Sequence, residues 1–279
     1  MRTNEQTPHI IGHYKYATRF YLLATLIPWA FWFSAGYFSH KTPVTPISEL
    51  LTGVLSFAGL CAPLAIAMVY IMPNKALRKD IATRIFNFPS IKRHYIFLAF
   101  FLMPTSILCA QSLSLLLGYG VEQFAFSGSF TFTSSVFPVW FLLLAAPVLE
   151  ELAWHSYGTD CLRARFNLFT TSFLFAIFWS FWHFPLTSIK GYYHSNLVES
   201  GLLYSINFIV SLIPFVLIMN WLYYKTNRNL LLPIIFHITA GYFNEIFATH
   251  PMSKVIQTGL LLAFSFYIVN KDRKLFFQR

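Results

Sequence analysis

Long apolar segments recur along the whole of this chain of 279 residues. Eight of them have the length of about 20 residues that an α-helix needs to cross the roughly 30 Å hydrocarbon core of a bilayer. Because backbone groups in lipid must be satisfied within the segment, such runs predict helices. The predicted spans are residues 20–38, 50–72, 95–119, 136–158, 168–186, 201–224, 230–248 and 253–270.

The composition agrees with a membrane protein. The chain is 56% hydrophobic and 11% charged, whereas soluble domains have about 25% charged residues. No connection between the predicted spans is long enough for a separate soluble domain. The sequence therefore predicts an all-α fold, with residues 1–279 forming a single integral membrane domain built as a polytopic helix bundle.

The basic residues predict how the chain is oriented. If the N-terminus is cytoplasmic, 17 of the 20 Lys and Arg fall in inside segments, and only Lys41, Lys190 and Lys254 fall outside. This is the asymmetry of the positive-inside rule, and it favours an even number of spans with both termini in the cytoplasm. It accounts for the net charge of +10 without a nucleic-acid partner. A multi-pass protein of the cell membrane is expected, with bilayer lipid as its surroundings.

Ionisable residues interrupt the fourth span. Glu150 and Glu151 are adjacent, and His155 follows Glu151 by four residues on the same helix face. A carboxylate in hydrocarbon is costly unless it is paired, neutralised or used in chemistry. Since two adjacent carboxylates cannot both ionise cheaply, one is expected to act as a base while the other orients a group or accepts a cation. The alternative is a hydrogen-bonded pair that only joins helices.

The fifth and seventh spans add two histidines and an asparagine. His183 follows Trp179 by four residues, and His237 precedes Asn244 by seven, with Gly241 between them on that face. Asn244 is a candidate for orienting a water or stabilising an oxyanion, with an interhelical hydrogen bond as the alternative. A lone histidine on an apolar helix is more often a core residue than a ligand, but these two accompany other buried ionisable groups.

Together these residues predict a hydrolytic site inside the membrane. The candidate catalytic residues are Glu150, Glu151, His155, His183, His237 and Asn244, with Glu150 as the general base. Glu150, His183 and His237 also make a workable zinc set with one position left for water. The chain lacks H-E-x-x-H and other local zinc signatures, so zinc as a cofactor rests on residue type alone, and metal-free activation of water stays open. A transporter is disfavoured because the remaining spans are nearly free of polar residues.

Three motifs in this region resemble the CPBP family of intramembrane proteases, which includes the CAAX prenyl endopeptidases and the bacteriocin-related Abi proteins. The family motif E-E-x-x-W-R-G-Y is similar to EELAWHSYG, which begins at Glu150. The second family motif, an aromatic residue followed by three residues and His, is similar to WSFWH, which ends at His183. The third motif, His, three residues and Asn, begins at His237. The resemblance covers residues 136–248, and the family also has eight spans.

The resemblance implies an endopeptidase of CAAX-protease type. Its expected substrate is a peptide or a lipidated protein tail associated with the membrane. In the family, the residues that Glu150, His183 and His237 match activate water or bind a metal, so an intramembrane metalloendopeptidase is one form of the expectation.

Two positions depart from the family pattern. His155 stands where the family has Arg, and the family Asn falls on Gly241, which has no side-chain donor. A protonated His155 would keep a positive charge against Glu151 without the bidentate fork of a guanidinium, and Asn244 is the candidate substitute for the missing Asn. The alternative function is a catalytically silent family member that acts as a bacteriocin immunity or membrane interaction protein.

One conflict of depth remains among the candidates. Glu150 lies eight residues from the inner end of its predicted span and His237 seven from the start of its own, but His183 lies fifteen residues into its span. The sequence allows two solutions, late entry of the fifth helix near Ser172 or a tilt of that helix.

Overall fold

A computed structural model describes residues 10–85, 87, 91–134 and 136–278. The described part of the chain is built from helices, and its only β-type pairing is an isolated bridge between Phe126 and Phe247. The predicted all-α fold class is confirmed.

Helices follow one another with mostly short connections. In chain order they are α1 (Ala17–Ser39), α2 (Pro46–Ile71), α3 (Lys75–Ile85), α4 (Arg93–Leu115), α5 (Val139–Ala153), α6 (Thr159–Arg163), α7 (Leu168–Trp182), α8 (Tyr193–Ser200), α9 (Leu202–Lys225), α10 (Leu231–Ile246), α11 (Pro251–Lys271) and α12 (Arg273–Phe277). A π-helical turn, Trp154–Gly158, joins α5 to α6, and a 3₁₀ turn, Phe184–Ser188, follows α7.

Five of these helices are long and apolar enough to cross a membrane, namely α1, α2, α4, α9 and α11. The segment of α7, the 3₁₀ turn and α8 is a sixth candidate, bent by 89°. The helices that carry the first and third motifs are shorter, with 15 residues in α5 and 16 in α10. The chain is thus a polytopic membrane bundle, whereas the number of eight spans and the cytoplasmic termini stay predictions.

The second motif lies at a break in the chain. Asn167 caps α7 by accepting a hydrogen bond from the Thr170 amide at 2.8 Å, so the helix begins at Leu168. It ends at Trp182, because Pro185 has no amide hydrogen with which to continue the helical ladder. His183 therefore sits at the end of α7, and late membrane entry and tilt of this helix both stay predictions.

The connecting segments gather at two ends of the bundle. At one end, the segments predicted to lie inside meet in an ionic cluster made by Tyr14, Asp80, Arg84, Asp160 and Arg228. At the other end, Glu245, near the end of the seventh predicted span, accepts a hydrogen bond from the backbone amide of Thr131 at 2.8 Å, and Asn196 donates to the Thr131 carbonyl at 2.7 Å. The motif residues of α5, α7 and α10 lie between these two ends.

Candidate active site

Glu150 interacts with two tryptophan side chains, those of Trp154 and Trp179. Its Oε2 accepts a hydrogen bond from the indole Nε1 of Trp179 on α7 at 2.9 Å. The residue is 6% exposed and lines a cavity of about 420 Å³. Among the hydrogen bonds of the described residues none engages its Oε1, so one carboxylate oxygen remains available at the cavity.

Glu151 is held from both sides. Its Oε1 accepts from Nδ1 of His237 on α10 at 2.7 Å, and its Oε2 contacts Nδ1 of His155. The side chain is fully buried. Because both oxygens are engaged, Glu151 joins α5, the π turn and α10 and offers no open oxygen to a substrate.

The π turn places His155 between two polar partners. Its Nε2 faces Oδ1 of Asn220 on α9 at 2.9 Å, and the Asn220 amide nitrogen donates to Oγ of Ser172 at 2.9 Å. Because the Asn220 amide nitrogen donates to Ser172, the atom that faces His155 is the Asn220 oxygen Oδ1, which can only accept. Nε2 of His155 therefore carries a hydrogen. Sequence reasoning missed Asn220, although a lone amide side chain in an apolar helix signals an interhelical bond.

His183 and His237 flank the ring of Trp179. The ring centroids lie 5.6 Å and 5.2 Å from that of the tryptophan. Nδ1 of His183 lies 2.7 Å from the Trp179 carbonyl oxygen, which can only accept, so this nitrogen carries the hydrogen. Both imidazoles line the cavity, and in each of them Nε2 is the nitrogen that these contacts leave available.

A further histidine that the sequence analysis did not single out lies beside them. The ring of His194 stacks on His183 with centroids 4.9 Å apart and planes 21° apart. Both of its ring nitrogens are buried, and neither has a hydrogen-bond partner in the described part of the chain. His194 lies outside the predicted spans, and only the bend after α7 returns it to the cavity.

Asn244 and Gly241 also line the cavity. The Asn244 amide donates to Oε1 of its neighbour Glu245 at 3.1 Å, a bond within α10, and its side chain also interacts with Tyr193 on α8. The interhelical hydrogen bond considered as the alternative role of Asn244 therefore stays a prediction. At Gly241 an added Cβ would meet only Leu143, at 3.8 Å, which is ordinary van der Waals contact. The glycine therefore leaves space at the position where the family motif has Asn.

The zinc prediction needs three converging donors at about 2.0–2.3 Å from the metal. The donor types at Glu150, His183 and His237 suit zinc, but the described residues contain no group of three or more His, Cys, Asp or Glu arranged to hold a metal ion. The residues as placed do not form a zinc site, and zinc as a cofactor stays a prediction.

Residues 132–243, which contain all three motifs, match the family model described as type II CAAX prenyl endopeptidase Rce1-like. The chain is 36% identical over 273 residues to CAAX prenyl protease 2 of Methanococcus maripaludis, and the alignment covers 97% of this chain and 99% of that protein. Both matches agree with the motifs around the buried carboxylate and the two histidines, and the chain therefore belongs to the CAAX prenyl endopeptidase family of intramembrane proteases.

Proposed function

We propose that this protein cleaves a membrane-associated or lipidated, CAAX-like peptide with a water molecule activated by Glu150. One observation supports the assignment of Glu150, and not Glu151, as the general base. Of the two adjacent carboxylates, Glu151 has both oxygens engaged by histidines, whereas Glu150 keeps one oxygen available at the cavity. A general base must be within hydrogen-bond reach of the proton it takes, and only Glu150 meets that condition.

The cavity supports a substrate with an apolar group next to a peptide bond. It combines the polar side chains of the motifs with an apolar lining that includes Leu60, Met103, Leu142, Leu143 and Leu261. Sites of this kind bind the apolar part of a ligand by burial and fix its orientation with a few polar groups. The relative in Methanococcus maripaludis is named a CAAX prenyl protease, so a prenylated protein tail at the cell membrane is the proposed substrate.

The reaction follows from these positions. Oε1 of Glu150 takes a proton from water while the water oxygen bonds to the peptide carbonyl carbon. The Nε2 atoms of His183 and His237 orient the water, and the amide of Asn244 donates to the oxygen of the tetrahedral intermediate. The carbon–nitrogen bond then breaks, and Glu150 returns the proton to the leaving amine. Glu151 acts by holding His237.

The test is cleavage of a fluorogenic prenylated peptide by the full chain purified in detergent. Replacing the base, Glu150→Gln, should lower kcat by about 10²–10⁴-fold. Glu122→Gln is the matched control, since Glu122 is exposed and lies outside the cavity lining. Zinc measured in the same samples decides the cofactor, because a stoichiometric amount would add metal assistance to the mechanism.

A second candidate function is a silent family member acting as an immunity or interaction protein. The observation that favours it is the departure from the family motif at His155 and Gly241. If prenylated and unmodified peptides all remain intact, and Glu150→Gln preserves the cellular phenotype, the endopeptidase proposal is wrong and this candidate replaces it.

A further inference from the structure

The π turn that carries His155 is tied to a residue far away in the sequence. A π turn disturbs the regular ladder of a helix, and its backbone carbonyls then need other donors. Arg84 on α3 supplies two of them. Its Nη1 donates to the His155 carbonyl and its Nη2 to the Ser156 carbonyl, each at 3.1 Å. The hydroxyl of Tyr223 also donates to the His155 carbonyl, at 2.7 Å.

The guanidinium of Arg84 is fixed in place by charge. The residue is 4% exposed, its Nη1 lies 3.1 Å from Oδ2 of Asp160, and its Nε lies 3.0 Å from Oδ2 of Asp80. A buried cation needs such pairing and hydrogen bonding to offset its desolvation. Because these carboxylates hold it, Arg84 gives the π turn a fixed point of attachment outside the predicted spans.

From the π turn, the contacts continue to the candidate active site. The backbone that Arg84 holds belongs to His155, whose ring contacts Oε2 of Glu151. The other oxygen of Glu151 accepts from Nδ1 of His237. A shift of the π turn would therefore move the carboxylate that orients His237, without any contact between Arg84 and the substrate cavity.

Arg228 provides an internal comparison. It is also buried, at 4% exposure, and it pairs with the same two acids through contacts to Asp160 and to Oδ2 of Asp80, the latter at 2.9 Å. Among the described hydrogen bonds, however, those of Arg228 reach Asp80, Asp160 and Tyr14 and not a carbonyl of the π turn. The two arginines share their charge environment and differ in their contact with the motif.

We propose that Arg84 is a positioning residue of the active site, whose guanidinium holds the π turn in the register that lets His155 and Glu151 orient His237. This inference rests on the proposed function and adds to it a residue outside all three motifs. Lysine keeps the charge of arginine but cannot span two carbonyls and two carboxylates. The pair Arg84→Lys and Arg228→Lys therefore separates positioning from the general stability of the ionic cluster.

The experiment compares these two variants in the full chain in detergent. Both should lower the melting temperature. In Arg84→Lys, kcat should fall about tenfold or more with KM within about twofold, because a small misplacement of a catalytic group has effects of this size. In Arg228→Lys, kcat should change less than about threefold, since the π turn keeps its donors. Equal losses of kcat in the two variants would overturn the inference.

Hydrogen exchange provides a readout that does not depend on catalysis. Amides in residues 151–160 should exchange faster in Arg84→Lys than in Arg228→Lys, because local opening of the π turn becomes easier. Unchanged exchange in Arg84→Lys would overturn the inference. If the wild type cleaves no peptide, the proposed function fails, and exchange alone then decides whether Arg84 holds the turn. If Arg84→Lys does not fold, Tyr223→Phe removes the other donor to the His155 carbonyl and should change kcat and exchange in the same direction.

Discussion

The indole nitrogen of Trp179 donates a 2.9 Å hydrogen bond to Oε2 of Glu150. This bond fixes one oxygen of the carboxylate and so determines which oxygen faces the cavity. The same residue accepts from Nδ1 of His183 through its carbonyl oxygen, at 2.7 Å. One tryptophan thus sets the orientation of both the proposed base and one of the two proposed water-orienting histidines.

Removing only the indole donor should separate these roles. Trp179→Phe keeps an aromatic ring and the backbone carbonyl, so His183 stays in place while Glu150 loses its anchor. We expect kcat to fall about 10–100-fold with little change in KM, since orientation of the base matters more than substrate binding. Steady-state cleavage of the prenylated peptide measures both constants.

Trp182→Phe is the matched control for this variant. Trp182 is 1% exposed, as is Trp179, and its Nε1 also makes a hydrogen bond, but to the Ala24 carbonyl at 2.8 Å. The Trp182→Phe variant should be less stable than the wild type and should keep most of the wild-type kcat. If the two variants lose kcat equally, the bond between Trp179 and Glu150 has no special role.

Gly241→Asn restores the asparagine of the family motif. The added Cβ meets only Leu143, at 3.8 Å, and the position lines the cavity, so the side chain has space. An extra amide donor at the tetrahedral oxygen should raise kcat about tenfold or more. Gly259→Asn controls for helix propensity, because an added Cβ at this glycine of α11 meets nothing within 4 Å. An unchanged kcat in Gly241→Asn would mean that Asn244 alone supplies the donor, and a lower kcat would mean that the added side chain obstructs the cavity; either result contradicts the prediction.

The sequence predicts which side chains of the site share a helix face. Glu151 and His155 are four residues apart, and helical geometry alone brings them onto one face, where the structure has them in contact. Glu150, His183, His237 and Asn244 all line one cavity. These positions follow from motif spacing and from the cost of ionisable groups in apolar helices.

The rest of the site depends on packing between distant segments. The bend of 89° between Ser188 and Tyr193 brings His194 back onto His183, and it follows the predicted span 168–186, so the apolar pattern gives no sign of it. Asn220 and Arg84 reach His155 from positions 65 and 71 residues away in the chain. Periodicity carries no information about such contacts, because it describes the faces of one helix and not its neighbours.

Asp160 should make the stability of the protein depend on pH in the acid range. It lies in α6, outside the predicted spans, where burial raises the pKa of its carboxyl, the guanidiniums of Arg228 and Arg84 lower it, and the net pKa lies below the ordinary value. A lowered folded-state pKa contributes stability that is fully present above the unfolded pKa of about 3.9, and this contribution is lost as the pH falls below that value and through the lower folded-state pKa.

Melting temperatures of the wild type and Asp160→Asn, measured in one detergent across the acid range, check this prediction. The variant should melt at a lower temperature at neutral pH, because Arg84 and Arg228 lose a charged partner. The difference between the two proteins should narrow below about pH 4, where the unfolded carboxyl takes up its proton. If the difference in melting temperature is the same at all pH values, Asp160 stabilises the protein through packing and not through its charge.

His194→Phe should make the protein more stable. The histidine ring stacks on His183 and packs edge-on against Phe208, and both contacts suit a phenylalanine. Its two buried nitrogens lack partners in the described part of the chain, and each such group costs about 1–3 kcal/mol. Removing them should raise the melting temperature by several degrees. His94→Phe should bring no such gain, since His94 packs at a tilt against Tyr95 at an exposed position. A lower melting temperature for His194→Phe would mean that ordered water satisfies the imidazole.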